Sequence, residues 1–321
     1  SGGAQRSGSN MRLAAQATSS GIENYFDGYL AETHYSDNYA YESSNYGEFS
    51  NGIWIPKEVD ISYGSAGFYF DYANASNLAA NTKGKGNWVI GTDQGTGLAA
   101  HDQVLDTPTN NFTTFNSIFL NTASQISRNA TIKNGSLEIF SSSTTADFVS
   151  NTFFPQAGFK GYAEFYVTHS STGNFGSSGD NRIMILDDNS MTNSTTWYSI
   201  YYSTGNIVTS GESTISATEW SKGDVIGVAV DMANNIKWYR NGSLIGTANV
   251  GGSYQSLGYM FNIRIKQDSS KNPTIIANYG QEGTFAGNIT AGGNSDGNGV
   301  GNFKYSVPSG YLALCTKNLG S

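Results

Sequence analysis

The segment from Gly223 to Gly246 constrains the fold more than any other part of this chain of 321 residues. It begins Gly-Asp-Val-Ile-Gly-Val-Ala-Val-Asp, a run rich in β-branched residues that is typical of a buried strand. Turn-forming residues at 231–235 interrupt the run, and apolar and polar residues then alternate over 236–240. The pair Asn241-Gly242 follows, and it predicts a two-residue type I′ turn because both central residues of that turn need a positive φ. The segment therefore predicts an antiparallel β-meander with tight turns.

Composition extends this prediction to most of the chain. Charged residues make up only 13% of it, and there are 39 glycines. No periodic run of helix-forming residues has useful length, and a short helix is predicted only over 118–126. From residue 132 onward, short apolar stretches alternate with turn residues, which is typical of one antiparallel sandwich. The Gly-rich stretch 287–301 has no apolar period and is predicted to be an exposed loop.

Charge and hydropathy exclude several classes of function. The formal net charge is −8 and the pI is near 4.8. Nucleic-acid binding is excluded because phosphate contacts need clustered Lys and Arg, and docking on anionic membranes is disfavoured for the same reason. No run of 18 apolar residues is present, so no membrane insertion is predicted. The single cysteine, Cys315, lies in an apolar stretch and is predicted to be a buried, inert thiol.

Catalytic patterns are missing, and we therefore predict that the protein is not an enzyme. The three histidines have no partners at metal-binding spacing. No Glu-x-Asp-x-x-Glu strand is present, which counts against a polysaccharide-degrading sandwich, the third class of function considered. Asp224 and Asp231 bracket a strand and are interpreted as caps of turns. No cofactor is predicted; residues 187–190 (Asp-Asp-Asn-Ser) offer oxygen ligands for Ca²⁺, but a solvated turn is the favoured interpretation.

Aromatic residues are the remaining candidates for a binding site. The densest run is Trp197-Tyr-Ser-Ile-Tyr-Tyr202, where strand alternation places Trp197, Ser199 and Tyr201 on one face and Tyr198, Ile200 and Tyr202 on the other. A role in the core is favoured for most of these rings, and a platform for a glycan or a protein is the alternative. The other tryptophans (Trp54, Trp88, Trp220 and Trp238) are interpreted mainly as core residues. The predicted ligand-binding residues are Trp197, Tyr198, Tyr201, Tyr202, Asp187, Asp188, Asn189, Tyr254 and Tyr259.

Several motifs together resemble a known group of proteins. The meander resembles the core of SPRY domains, and an ordered series of motifs over most of residues 22–319 resembles virion proteins of tailed phages, in which a laminin-G-like region precedes a SPRY or concanavalin-like sandwich. The motifs are YFDGYLAE (25–32), YGEF (46–49), NGIWIPK (51–57), GFYFD (67–71), HDQVLDTPTNNF (101–112), ANYGQ (277–281) and VPSGYLALCTKNL (307–319). Those containing DTPTNNF and VPSGYLALCTKNL are the most specific.

The resemblance implies an all-β fold. A partial laminin-G-like segment is expected at 1–62, a connector with short strands at 63–130, and an antiparallel SPRY/concanavalin-like jelly roll at 131–321. In the phage proteins the FDGYLAE strand ends the laminin-G-like unit, so most of that unit is expected to be missing here.

The implied function is that of a non-enzymatic virion protein, extracellular when assembled, in a tail fibre that recognises a host surface glycan or protein. The alternative is a purely structural decoration or fibre-assembly module that binds only other virion proteins. Both readings are compatible with a homo-oligomer.

Overall fold

The computed structural model describes residues 11–14, 16–18, 21–23, 26, 30–50, 53–84, 88, 102–107, 110–116, 130–141, 145–151, 154–155, 159–171, 175, 181–187, 197–250, 258–267 and 271–319. In these residues, no helix is both long and apolar enough to cross a membrane. The predicted helix at 118–126 lies outside them. The helical elements described are a 3-10 turn at Ser43–Asn45 and a four-residue helix at Thr316–Leu319.

The strands, numbered along the chain, are β1 Gln16–Thr18, β2 Gly21–Glu23, β3 Thr33–Tyr35, β4 Gly47–Ser50, β5 Ile53–Pro56, β6 Phe68–Phe70, β7 Ala130–Lys133, β8 Glu138–Ser141, β9 Thr145–Val149, β10 Phe154–Pro155, β11 Lys160–His169, β12 Arg182–Asp187, β13 Trp197–Tyr202, β14 Asn206–Thr209, β15 Ile215–Ser216, β16 Val225–Asp231, β17 Asn235–Arg240, β18 Ser243–Asn249, β19 Gly258–Lys266, β20 Pro273–Asn278 and β21 Leu312–Ala313.

Two sheets form the sandwich. The first has eight strands in the order β18-β17-β16-β11-β20-β8-β7, with β21 pairing in parallel with β11. The second has seven strands in the order β10-β19-β12-β13-β14-β15, and β9 also pairs with β19. Apart from β11–β21, the strand pairs in these sheets are antiparallel. The predicted all-β class with an antiparallel sandwich is therefore confirmed.

The core lies between the two sheets. Phe165 and Val228 from the first sheet and Phe261 from the second belong to one cluster of buried side chains. Trp238, which is fully buried, donates from its indole Nε1 to Ser199 Oγ on the opposite sheet at 3.0 Å. The sheets are thus joined by a hydrogen bond as well as by burial of apolar surface.

The meander has the predicted form. Every residue of β16 is buried, and β16 pairs with β17 in antiparallel register. Asn241 and Gly242 have φ values of 50° and 79°, as a type I′ turn requires. Asn241 also accepts from the Val225 amide at 2.9 Å and donates to Asp224 Oδ1 at 2.7 Å, so its side chain closes the turn against the sheet.

The Gly-rich stretch 287–301 has no helix or strand and most of its residues are exposed, as predicted, but it belongs to a longer segment that packs on the sandwich. Residues 285–311, here called the C-terminal cover, lie on the outer face of the first sheet, where Phe285 and Phe303 are fully buried. Asp296 accepts from the amides of Asn298, Val300 and Ala313 at 2.8 to 2.9 Å. These bonds order a backbone that has no regular secondary structure, and the cover buries the central strands of this face.

The two most specific motifs contact each other. Phe112, which ends DTPTNNF, forms a bridge with Cys315 of the last motif. The next amide, that of Thr113, donates to the Leu314 carbonyl at 2.9 Å. Cys315 is only 2% exposed, and burial raises the pKa of its thiol, which confirms the prediction of a buried cysteine. Residues 110–116 are therefore packed into the sandwich.

The described residues of the N-terminal third form three separate two-stranded sheets, β1–β2, β3–β6 and β4–β5. The strands β3 and β6 lie on either side of the predicted boundary at residue 62 and pair with each other. His34, in β3, stacks on Tyr69 with ring centroids 4.4 Å apart and shares a 2.7 Å hydrogen bond with the Tyr63 hydroxyl. The division at 62 and at 130 remains a prediction.

Candidate functional site

The predicted site residues divide into three groups. Trp197 and Tyr202 lie half-buried on the outer face of the second sheet. Tyr198, Tyr201 and Tyr259 are fully buried in the core between the sheets, so the prediction that their side chains contact a ligand is wrong for the described fold. Asp187 is the last residue of β12, where its backbone pairs with Tyr259. The remaining predicted residues, Asp188, Asn189 and Tyr254, lie outside the described residues.

A β-bulge explains why alternation misplaced two of these side chains. In the pairing of β12 with β13, Ile185 lies opposite Ser199 and Leu186 opposite Trp197, so Tyr198 is an extra residue. The extra residue shifts the alternation by one position. Trp197 consequently lies on the outer face, and Tyr198 lies in the core.

A row of polar and aromatic side chains crosses this outer face at one level. Tyr202, Arg182 and Arg264 are direct neighbours on β13, β12 and β19, and the backbone of Asp147 on β9 continues the register. Arg182 donates from Nη1 to the Tyr202 hydroxyl at 3.3 Å, and its guanidinium carbon lies 5.5 Å from the centroid of that ring. The tyrosine thus holds the guanidinium both by a hydrogen bond and by a cation–π contact.

The rest of the face is apolar. The aliphatic side chains of Met184, Leu186, Ile200 and Met260 form its floor, and each is at most 9% exposed. Trp197 and Tyr202 pack against this floor and are more exposed than it. Half-buried aromatic rings beside an aliphatic floor provide a rigid surface against which the face of a sugar ring or an apolar side chain can stack.

Two polar atoms on this face lack hydrogen-bond partners. Asn262, which is 2% exposed, has an unpartnered Oδ1, and Arg182 has an unpartnered Nε. Asn262 lies opposite Met184, and is therefore a diagonal neighbour of Arg182 across β12 and β19. Buried polar atoms in native proteins are nearly always hydrogen-bonded, so this unmet acceptor beside an unmet donor is a candidate contact for a bound group.

The buried carboxylates that the structure describes have structural roles. Glu164 is fully buried and accepts from the amides of Lys304 and Tyr305 at 2.8 and 2.9 Å. Burial raises the pKa of Glu164 to about 7, although these hydrogen bonds oppose the shift. Asp224 accepts from the Ser221 amide and Arg240 Nε, both at 2.6 Å, and Asp231 accepts from the Ala233 amide at 3.1 Å. The interpretation of the two aspartates as caps of turns is confirmed.

Metal binding finds no support in the same part of the chain. In the described residues, no three His, Cys, Asp or Glu side chains are grouped so that they could hold a metal ion. Of the segment 187–190 proposed as Ca²⁺ ligands, only Asp187 is described. The Ca²⁺ hypothesis therefore stays a prediction.

Sequence analysis missed Arg182, Arg264 and Asn262. The signal was present, because Arg182 precedes a run in which Ile183 and Ile185 are core residues, and Arg264 lies between two core isoleucines. Period-two alternation places each polar residue on the face opposite the core. The site residues were predicted from the density of aromatic residues, which does not take this alternation of polar residues into account.

The sequence matches no protein-family description, and it matches no curated protein. Solved structures with similar chain paths include the SPRY domain of human HERC1, with 16% identity over 46% of this chain and 91% of that one, at a TM-score of 0.34. Another human SPRY domain has 11% identity over 47% and 94% of the two chains, also at 0.34. The carbohydrate-binding module CBM66 of Bacillus subtilis has 11% identity over 43% and 82%, at 0.29. These scores assign no function.

Proposed function

We propose that this protein is a non-catalytic β-sandwich module that binds a host surface glycan through the outer face of the second sheet. The observation that carries the proposal is the combination of half-buried Trp197 and Tyr202 with the unpartnered Asn262 Oδ1 on one face. Aromatic rings stack on the apolar face of a pyranose, and an amide oxygen accepts from a sugar hydroxyl. The corresponding face of the first sheet lies under the C-terminal cover.

We further propose that the module belongs to a phage virion and forms the receptor-binding part of a tail fibre, outside the cell when assembled. The ordered motifs of the sequence support this setting. The contact of Phe112 with Cys315 adds to that support, because it joins the two most specific motifs in one packed unit. No cofactor is required for binding of this kind.

The direct test is glycan binding by Trp197→Ala. Removing the indole deletes the stacking surface, and we expect affinity for the receptor glycan to fall about tenfold or more, equivalent to about 1.4 kcal/mol. The measurement is titration calorimetry with surface glycans released from host cells, after far-UV circular dichroism has shown that the variant is folded. Tyr39→Ala is the matched control, since Tyr39 is an aromatic residue 52% exposed in the N-terminal third.

Unchanged affinity of a folded Trp197→Ala variant contradicts the proposed site. A loss of affinity in Tyr39→Ala alone places binding in the N-terminal third instead. Failure of the folded wild-type protein to bind any host glycan contradicts the function itself.

A second function, assembly with other copies or with other virion proteins, is favoured by a separate observation. All but two of the exposed large hydrophobic residues that the structure describes precede residue 106. Among them, Phe49 and Trp54 are 73% and 43% exposed, face each other across β4 and β5, and pack with ring centroids 5.3 Å apart. This corrects the expectation that Trp54 is a core residue. A two-stranded sheet is marginal in isolation, so this exposed pair suits an interface with a second copy of the chain.

Replacing both Phe49 and Trp54 by serine is expected to shift a homo-oligomer towards monomer, because the substitution removes the apolar contact area. Sedimentation equilibrium over a range of concentrations gives the mass. Leu244→Ser is the control, since Leu244 is 55% exposed but lies in the sandwich. A wild-type protein that stays monomeric throughout, or a double variant with the wild-type mass, contradicts assembly through this hairpin.

A further inference from the structure

The positive charge of Arg182 has no counter-charge among the described residues. Its side chain is half-buried, its contacts are the hydroxyl and ring of Tyr202, and no carboxylate of the described residues forms an ion pair with it. A partly desolvated charge without a counter-charge costs free energy. Arg240, which is also half-buried, is paired with Asp224 at 2.6 Å. Arg182 is thus a cation held in place by an aromatic residue.

Arg264 lies at the same level of the sheet as Arg182. Its backbone lies directly opposite that of Arg182, and both side chains point away from the core because the adjacent Ile183, Ile263 and Ile265 point into it. Like charges at directly opposed positions of neighbouring strands are destabilising. The backbone register places Asp147 on the far side of Arg264, one strand further from Arg182. An anion bound near Arg182 supplies the counter-charge that Tyr202 does not provide.

The two side-chain atoms without hydrogen-bond partners indicate what a ligand must offer beside the charge of Arg182. Arg182 Nε needs an acceptor and Asn262 Oδ1 needs a donor. A hydroxyl group can do both, since it donates one hydrogen bond and accepts others. Diagonal neighbours on a sheet lie roughly 7 Å apart at the backbone, a spacing that one sugar ring carrying a hydroxyl and a charged substituent can bridge.

We propose that the outer face of the second sheet is selective for acidic glycans, and that Arg182 binds a sugar carboxylate. This inference rests on the proposed function and names its ligand class. A guanidinium presents several N–H donors in a fixed plane and matches the two oxygens of a carboxylate. The hydroxyl of the same sugar meets Asn262, and the ring stacks on Trp197. The selectivity is local, because the chain as a whole carries a net charge of −8.

The test compares one polymer in two charge states. The wild-type protein is titrated with a polyuronate and with the same polymer after its carboxylates have been reduced to neutral alcohols, so that the linkages and ring hydroxyls stay the same while each carboxylate becomes a hydroxymethyl group. We expect the protein to bind the polyuronate at least tenfold more tightly than the reduced polymer. We also expect this affinity to fall as salt rises from about 50 to about 500 mM, because salt screens the attraction between exposed charges. This comparison needs no variant and is independent of folding defects.

Two variants locate the effect. Arg182→Gln is expected to lose at least tenfold in affinity for the polyuronate, whereas Lys317→Gln, which removes an exposed charge in the C-terminal helix, is expected to bind as the wild type does. Arg182→Lys keeps the charge but not the planar donors, and an intermediate loss is expected. Thermal melting of each variant shows whether it is folded.

Each outcome separates this inference from the function on which it rests. Equal affinity for the charged and the neutral polymer, or undiminished polyuronate binding by folded Arg182→Gln, overturns the acidic selectivity while glycan binding itself stands. Binding only to neutral glycans does the same. If the folded protein binds no glycan in a panel of acidic and neutral polymers, both the selectivity and the proposed function fail.

Discussion

Replacing Trp238 by alanine is expected to lower the free energy of unfolding by about 3–5 kcal/mol, the range found when buried aromatic residues are truncated. Trp238 is fully buried in the core and bonds to Ser199 Oγ across the two sheets. The substitution leaves a cavity between the sheets and removes the donor that this hydroxyl bonds. For a domain of this size, the expected fall in melting temperature is about 10 °C.

Tyr39→Ala is the control for this prediction. Tyr39 is 52% exposed and lies in the N-terminal third, so its loss is expected to change the stability by about 0.5 kcal/mol or less. Urea denaturation followed by circular dichroism measures both variants. Equal destabilisation by the two substitutions contradicts the assignment of Trp238 to the main core.

The second large effect is a loss of stability as the pH rises through neutrality. Glu164 lies between the first sheet and the C-terminal cover, and burial raises its pKa from 4.5 to about 7 in the folded protein. The folded state therefore binds the proton more tightly than the unfolded state does. The stabilisation is fully present below about pH 4.5 and is lost as the pH rises through about 7, with a magnitude on the order of 3 kcal/mol.

The groups that face Glu164 do not titrate in this pH window. Tyr162 donates to its Oε1 at 3.1 Å, Tyr305 donates through its backbone amide, and Tyr239 packs against Tyr162. Burial raises the pKa of all three phenols above the usual value of 10. We therefore assign the change of stability with pH near neutrality at this contact to the carboxyl group of Glu164.

Glu164→Gln isolates that contribution. The amide keeps the size of the side chain but cannot ionise, so the stability of the variant is expected to change less with pH between 5 and 8. Its overall stability is expected to be lower, because one acceptor oxygen of the side chain is replaced by a donor NH₂ group. Chemical denaturation at intervals of one pH unit gives both profiles. Parallel profiles for wild type and variant contradict the titration of Glu164.

Local signals in the sequence were sufficient to predict the meander of the sandwich and its tight turn. The β-branched run over 225–230 and the Asn241-Gly242 turn are determined by side-chain shape and backbone φ, and both form where they were expected. Trp220 and Trp238 are core residues as predicted. Alternation failed at Tyr198, because the bulge that shifts it depends on pairing with β12, which is distant in sequence.

The C-terminal cover and the N-terminal hairpin show what sequence could not reveal. The C-terminal cover has no periodicity, and its backbone is held by hydrogen bonds to Asp296 and Glu164, the second of which lies 140 residues from its partner in the chain. Trp54 has the character of a core residue, but its hairpin lies in a separate small sheet. Both outcomes depend on tertiary packing rather than on local propensity.

The candidate site was predicted in part. Trp197 and Tyr202 were identified from the density of aromatic residues, and both lie on the proposed binding face. Arg182 and Asn262 became candidates only when the strand register placed them beside these rings and their unpartnered atoms were known. A polar residue acquires this role from its neighbours across the sheet, and those neighbours are far apart in the sequence.

The most direct test of glycan binding at this face is methyl NMR of the methionines during titration with a polyuronate or a released host glycan. Met184 and Met260 lie in the floor of the proposed site, whereas Met232 lies in the core between the sheets and Met11 in the N-terminal third. Binding at the proposed face predicts saturable shifts of the Met184 and Met260 methyl signals, with those of Met232 and Met11 unchanged. Saturation that moves the Met11 signal, or leaves those of Met184 and Met260 in place, contradicts it.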